Sequence, residues 1–444
     1  MSGRIEMDVW GGVREHGRSC YRLQAAETSV LLDCGGKKER GGLYPRLAEE
    51  QVKRLSVVFL SHAHEDHMAA LPLLLKHGYT GEIWLTRETF RQLPGYARAW
   101  RSYVESRGGS VPYAEDDWER LRWRFLDEEA EPSRWLSAAP GVRVCWGPSG
   151  HLPGAVWLLL ELEGRVAFFS GDYSGESTLL RATMPGPELL EGRRIELAIV
   201  DAAYGDAEEE QVEQLDALCA KLTEAHARGG HVLLPMPMCG RGMDLAVELS
   251  ERLPDMPLAV ESTLALEWAR LLHADLAARW LRADAPARLA AAIDRLATVS
   301  GEEQRRQLLQ GSPRLILSPD GMMLSEPART YGRALHQDTR HAIVFTGHVS
   351  RDARVRGGGV DCEIASLRYK VHQGLPDVLR MLRALQPLET VLVHADDQAT
   401  TRLTRRLRSL GLWRLLDPLL AGAAARTEED DPVMAAPEPL VLEP

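Results

Sequence analysis

The sequence predicts an α/β fold built from a strand-rich region, an inserted domain of alternating strands and helices, and a return to strands. Three observations predict it: short β-type runs dominate the first 200 residues, the texture changes after Gly205, and strand-like runs reappear from about 347. In the first region the runs are "IEMDVW" from Ile5, "SVLLDCG" from Ser29, "LSVVFLSH" from Leu55, "GEIWLT" from Gly81, "VRVCW" from Val142, "VWLLLELEG" from Val156, "RVAFFSGD" from Arg165 and "ELAIVDAAYG" from Glu196. Gly, Pro and acidic turns separate most of them, and helical patterns intervene at about 87–106 and 115–129. After Gly205 a helical pattern runs from about Glu208 to Arg228. Then follow "HVLLPMP", a helix from about Gly242 to Leu253, "PLAVES", further helix to about Arg282, "RLILSPDG", a helix near 327–337 and "HAIVFTG". Strands alternating with helices imply βαβ units and a parallel sheet. The return segment carries "SLRYKVH" and "TVLVHAD", with helices near 375–385 and 398–410. The expected division is 1–205, 206–346, 347–420, and a disordered acidic, proline-rich tail over 421–444.

Composition bounds the function. The chain has 444 residues, 45% of them apolar, so it can bury large cores. Its 53 basic and 64 acidic side chains leave a net charge of −11, which argues against loose, charge-driven binding to nucleic acid but not against a local basic groove. The six scattered cysteines form no C-x-x-C pair and read as reduced thiols of a cytoplasmic protein. The N-terminal "MSGRIEMDVWGG" has no apolar core of a secretory signal, and no apolar run approaches the roughly 18–20 residues that span a bilayer. No membrane association is expected.

The chemistry concentrates in "FLSHAHEDHMAALP", Phe59 to Pro72, where His62, His64, Glu65, Asp66 and His67 crowd one turn. A solvated loop would use Glu, Lys and Ser. Imidazole and carboxylate together suit a first-row metal such as zinc. The apolar run "VVFL" ends just before this turn and a helix-like "MAALPLLLKHG" follows, so a rigid strand end would present the side chains. Four ligands this close in sequence cannot all reach one ion. The economical reading is two ions, one served by His62 and His64 and one by Asp66 and His67. Further ligands are offered by His151 on the glycine-bracketed turn "PSGHLPGA", by Asp172 in "FFSGDYSG", where a carboxylate could bridge both ions, and by His394 in "TVLVHADD".

These motifs resemble the metallo-β-lactamase-fold hydrolases. "LSHAHEDH" is similar to the H-x-H-x-D-H signature, and "LLDCGG", "GHLPGA", "SGDYSG" and "LVHADD" match the fold's other motifs in order. "VDAAYGD" and "GGHVLLPMPMCGRGMDLAVEL" look like the entry to a β-CASP insertion, the group that includes RNase J and the cleavage-and-polyadenylation endonuclease. The resemblance covers about residues 5–415. It implies an αββα sandwich with an inserted α/β β-CASP domain. It implies that His62, His64 and His151 hold one Zn2+, that Asp66, His67 and His394 hold a second, and that Asp172 bridges them. Asp33 would orient the histidine loop without ligating. Asp201 falls where the group places an acid supporting a ligand histidine, and His372 where it places a catalytic or phosphate-binding histidine. Asp66, His372 and Asp201 are thus the expected catalytic residues.

The chain departs from the group's pattern at two places. Val371 and Gly374 flank His372 where a small residue and an acid are usual. The strand end "FTGHVSRDARVRGGG" lacks the usual glycine-threonine sequence, and His348, Arg351, Arg354 and Arg356 are the candidates to supply phosphate-binding charge instead. The resemblance implies a zinc-dependent phosphodiester hydrolase acting on single-stranded RNA or DNA, either alone or with a protein partner or as a homo-oligomer. A hydrolase of a smaller nucleotide or ester, and a partner-dependent or non-catalytic β-CASP subunit, remain open alternatives. His16, His77, His226, His231, His273, His336 and His341 have no evident partners and are expected to be surface or structural residues.

Overall fold

The computed structural model describes residues 4–347, 361–412 and 414–421. Along the first part of the chain run β1 (Glu6–Gly11), β2 (Cys20–Ala25), β3 (Thr28–Leu32), β4 (Val57–Phe59), β5 (Glu82–Leu85), β6 (Arg122–Phe125), β7 (Leu136–Ala139), β8 (Val142–Pro148), β9 (Val156–Leu162), β10 (Arg165–Phe169) and β11 (Ile195–Asp201). Next come β12 (Val232–Pro235), β13 (Leu258–Glu261), β14 (Ala297–Val299), β15 (Leu315–Ser318), β16 (Ala342–Phe345) and β17 (Glu363–Ser366). The last are β18 (Glu389–Val393) and β19 (Leu415–Leu416). The chain forms two units. One contains the chain up to Gly175, Ala182–Glu208 and the described chain from His372 on; the other contains Glu176–Arg181 and Glu209–Val371.

The first unit holds two sheets. One has the order β1-β2-β3-β4-β5-β6, the other β19-β18-β11-β10-β9-β8-β7. In the first, β1 to β3 are antiparallel and β3 to β6 parallel. In the second, β7 to β10 are antiparallel, while β10, β11, β18 and β19 are parallel. Tyr21 of β2 meets Phe169 of β10 edge-on at 5.9 Å, so the two sheets face each other. Helices Leu71–Lys76 and Arg87–Ser106 cover the outer face of the first sheet, where Leu74 and Trp100 pack with Leu31, Val58 and Ile83. Helices Leu375–Leu385 and Asp397–Ser409 cover the second, where Met381 and Leu403 pack with Phe168, Val200 and Leu392. This is an αββα sandwich. Strands covered on both faces read as continuous apolar runs, which is why "VVF", "VAFF" and "LAIV" were legible.

The second unit is a six-stranded parallel sheet of order β14-β13-β15-β12-β16-β17. Alternation along the strands divides its core. Leu234, Leu317 and Val344 face helices Gln211–Ala227 and Arg241–Arg252, while Leu233, Ile316 and Ile343 face Tyr331 and Leu335 of helix Glu326–Leu335.

Four expectations change. The segment 115–129 is not one helix: Arg122, Trp123, Arg124 and Phe125 alternate, and pair parallel with β5 as β6. The return to the first unit comes at His372 rather than 347, because β17 pairs parallel with β16 and extends the second sheet. Ser366 ends that strand, so "SLRYKVH" is not a strand of the returning segment. Glu176–Arg181 also belongs to the second unit. Residues 422–444 and the segment with His348, Arg351, Arg354 and Arg356 lie outside the described residues.

Asp244 secures the second unit's edge. Its buried carboxylate accepts from Ser177 Oγ (2.7 Å), Tyr369 Oη (2.8 Å) and the Leu179 and Thr178 amides (3.1 and 3.3 Å). Removing it strands these donors, so Asp244→Ala should cost about 3 kcal/mol or more in chemical denaturation. Burial pushes Asp244 up to about 6, against the hydrogen bonds that pull it down. Folding therefore favours its protonated form, and the carboxyl's contribution to stability falls as the pH rises from 3.8 to about 6. The variant should lack that slope.

Candidate metal centre

The site is built at the carboxyl ends of parallel strands, the usual place for ligands in such sheets. Asp33 follows β3, His62 follows β4, Asp172 follows β10, Asp201 ends β11 and His394 follows β18. Asp33 and His394 take left-handed backbone (φ 58 and 67), which turns the chain sharply at both strand ends. His64 precedes the one-turn helix Glu65–Met68, which carries Asp66 and His67. Neighbouring backbone pins that turn: Ser19 N–H donates to the Asp66 carbonyl, Cys34 N–H to His67 and Gly36 N–H to Glu65. A Cβ on Gly35 would collide with the Asp66 carbonyl, so only glycine allows this approach. His151 sits on a turn whose Gly150 and Gly154 both have positive φ.

These side chains converge on Asp172. Its Oδ2 lies 3.4 Å from His62 Nε2, 3.5 Å from His151 Nε2, 3.7 Å from His394 Nε2 and 3.8 Å from His372 Nδ1, while Oδ1 is 3.3 Å from His67 Nε2. His151 Nε2 stands 3.1 Å from His64 Nδ1, and His394 Nε2 is 2.9 Å from Asp66 Oδ2. Three overlapping groups result: His62, His64, His151 and Asp172; Asp66, His67 and His394; and Asp172, Asp201, His372 and His394. In each, the ligand atoms lie within 4.8 Å of one another.

The residues fit zinc on two observations. Nitrogens about 2.0–2.1 Å from one zinc at tetrahedral angles lie about 3.3 Å apart, close to the spacings found here. His62 Nε2, Asp172 Oδ2 and His394 Nδ1 are also buried with no hydrogen-bond partner among the described residues. Orphaned polar atoms of this kind carry a desolvation cost that a metal would relieve for those facing it.

Electrostatics divides the cluster. Burial pushes His62 down, and His64 and His151 well down, so these rings stay neutral and keep a lone pair to offer. Burial acts the same way on His67 and His394, but carboxylates outweigh it. Asp172, Asp66 and Asp33 hold His67 well up, and Asp172 and Asp66 push His394 up to about 9. Burial alone would raise Asp66 and Asp172; the imidazoles around them, His67 first for Asp66 and His394 first for Asp172, hold both well below the carboxylate range. The carboxylate-rich half thus demands positive charge, which protons or a dication can supply.

The surrounding residues fix these groups. Asp33 accepts from Ser61 N–H (2.7 Å) and Ser61 Oγ (2.8 Å), and lies 2.7 Å from His67 Nδ1, leaving His67 Nε2 toward Asp172. Asp201 accepts from the Tyr173 and Ala203 amides and lies 3.1 Å from His372 Nδ1. Asp201, expected to support a ligand histidine, holds His372, and its charge also helps to raise His394. His372 stacks on His394 at 4.9 Å and meets Tyr204 edge-on at 5.5 Å.

One neighbour was missed. His16, expected to be a surface or structural residue, is exposed but stands edge-on to His394, with ring centroids 5.8 Å apart. The available signal was its place in "GGVREHGRSC", a charged turn bracketed by glycines.

Comparison with known proteins agrees with this geometry. Residues 13–187 match the Metallo-beta-lactamase superfamily, and residues 357–416 match the Zn-dependent metallo-hydrolase RNA specificity domain. The chain is 27% identical over 368 residues to the transcription termination factor FttA of Lokiarchaeum sp., covering 78% of this chain and 56% of that protein. It is 26% identical over 438 residues to ribonuclease TTHA0252 of Thermus thermophilus, covering 90% of this chain and 96% of the relative. A solved structure of a protein of unknown function from Enterococcus faecalis shares the fold, with a TM-score of 0.53 and 11% identity over 88% of this chain and 94% of that one. With the αββα sandwich, the inserted parallel sheet and the histidine-aspartate cluster at the sandwich's strand ends, the chain carries a Metallo-beta-lactamase superfamily domain and a Zn-dependent metallo-hydrolase RNA specificity domain, and its architecture is consistent with the β-CASP group.

Proposed function

We propose that this chain is a zinc-dependent phosphodiester hydrolase, a nuclease acting on single-stranded RNA or DNA with two zinc ions. The observation that carries the reading is the Asp172 carboxylate, within 3.3–3.8 Å of imidazoles from both histidine groups. His62, His64 and His151 would hold one ion, Asp66, His67 and His394 the other, with Asp172 between them. A ribonuclease relative that matches nearly end to end supports a polynucleotide substrate. Cys20, Cys34, Cys145, Cys239 and Cys362 are buried and form no disulfide among the described residues, which supports a cytoplasmic setting. No helix among the described residues is long and apolar enough to cross a membrane.

Two zinc ions, when bound, supply Lewis acidity that polarises a phosphodiester and lowers the pKa of attacking water. The chain's own residues do the rest. Asp33 keeps His67 in one tautomer and orientation. Asp201 ties Nδ1 of His372, which leaves Nε2 to carry a proton for the departing oxygen. The stacked His394 ring and the His151 ring at 4.8 Å fix the plane of His372, so the proton is held in place.

Protein purified without chelator should contain close to two zinc ions per chain by elemental analysis. A reproducible value below one in folded protein contradicts the two-ion reading. Labelled single-stranded RNA and DNA, with bis(p-nitrophenyl) phosphate beside them, then separate the substrate classes. Cleavage of the small ester alone would favour a small-substrate hydrolase.

A further inference from the structure

We infer that the first unit carries a second binding site, outside the metal centre, for a phosphate monoester whose body is apolar or aromatic and about the size of a nucleoside. The starting observation is a cavity of about 290 Å³ lined by helix Asp397–Ser409, by Val13 and Arg14, and by the chain from Leu415 to Pro418. All of these residues belong to the first unit, and none is a ligand candidate of the metal centre. The volume falls at the small end of the range of ligand pockets, about 300–1,000 Å³.

The cavity has two chemically distinct walls. One is apolar, made by Val13, Leu392 of β18, Leu415 and Leu416 of β19, and Pro418. Leu416 is 41% exposed, so apolar surface remains there for a ligand to cover. The other wall is one face of the helix, where Thr401, Thr404, Arg405 and Arg408 recur at the i, i+3, i+4, i+7 spacing.

Charge points to the ligand class. Arg405 and Arg408 are exposed, and neither pairs with a side chain among the described residues. The arginines on the rest of the helix are committed: Arg402 Nε donates to Asp206 (3.0 Å) and Arg406 Nη2 to Glu208 (2.9 Å). Asp417, the carboxylate of the lining, accepts from Arg14 Nε (2.8 Å), and Arg14 also bonds Asp397 and Thr401 Oγ1. Asp417 is therefore neutralised where it stands. A chain with a net charge of −11 thus leaves two uncompensated guanidiniums beside an apolar cavity. Two guanidiniums match a phosphate monoester in charge and in donor geometry. With the phosphate on Arg405 and Arg408, the apolar wall is left for the body of the ligand.

The test titrates the zinc-loaded full chain with adenosine 5′-monophosphate, adenosine and inorganic phosphate by calorimetry. The nucleotide should bind more tightly than either of its halves. Arg405→Ala and Arg408→Ala should each weaken it about 10-fold or more, the worth of a hydrogen bond to a charged group. Arg402→Ala and Arg406→Ala remove the same charge from the same helix, and Arg406 shares the last turn with Arg408. These two should stay within about twofold of wild type, since exposed pairs are weak. Leu416→Ser should weaken the nucleotide but not inorganic phosphate. All five side chains lie at the surface, and circular dichroism checks that each variant keeps its fold. No binding of the nucleotide would overturn the inference. So would binding that ignores Arg405 and Arg408, which would put the nucleotide at another site such as the zinc ions. Equal losses in all four arginine variants would reduce the effect to general surface charge. Inorganic phosphate binding as tightly as the nucleotide would remove the apolar wall from the site.

Discussion

Asp172→Ala should remain folded, lose most of its zinc, and lose more than about 100-fold of any phosphodiesterase activity. The residue follows β10, outside the packed strand, so the apolar cores on either side keep their contacts. Its carboxylate, by contrast, approaches imidazoles of both expected ion sites, four rings in all, with His372 a fifth beside them. Changing a residue that only supports a ligand typically costs 10–100-fold in metal affinity or activity, so a shared ligand should cost more. Circular dichroism checks the fold and elemental analysis the zinc. An Asp172→Ala protein with two zinc ions would remove Asp172 from the centre.

His372→Ala should behave differently. It should keep its fold and both zinc ions while its rate on ordinary RNA or DNA falls about 10²–10⁴-fold, the usual worth of a general acid. His372 lies 3.8 Å from Asp172 and is held by Asp201 at 3.1 Å, and the proposed mechanism uses it as a proton donor beside the ligands. A substrate with a leaving group of low pKa needs no proton and should rescue His372→Ala. It should not rescue Asp172→Ala. Wild-type rates from His372→Ala on ordinary polynucleotides would make the histidine a bystander.

The parts of the site that sequence reveals are those that follow apolar strands. "VVFL" and "VAFF" are followed closely by His62 and Asp172, and "LAIVD" ends in Asp201, because a buried strand delivers the chain to the sheet's carboxyl edge. Asp33, His62, Asp172 and His394 were legible for that reason, and His64, Asp66, His67 and His151 from the turns they crowd; the structure brings them together. What stayed hidden depends on tertiary contact. Nothing local reveals that Asp201 holds His372, since the two are 171 positions apart. His16 looked like a surface residue because its loop packs through backbone hydrogen bonds to His394, which leave no side-chain pattern. Strand β6 was hidden because its period-2 alternation is only four residues long. The boundary at His372 was hidden because β17 joins the parallel sheet at its edge, where half-exposed residues replace an apolar run.

The central claim is that residues from four separated stretches hold two metal ions on a shared aspartate. Anomalous diffraction at the zinc edge, from crystals of protein purified without chelator, tests it most directly. The account predicts two peaks about 3.5–4 Å apart. One should lie about 2.0–2.1 Å from nitrogens of His62, His64 and His151, the other at similar distance from His67 and His394, with Asp172 reaching both. A single peak, or peaks away from Asp172, in an otherwise intact fold would contradict it.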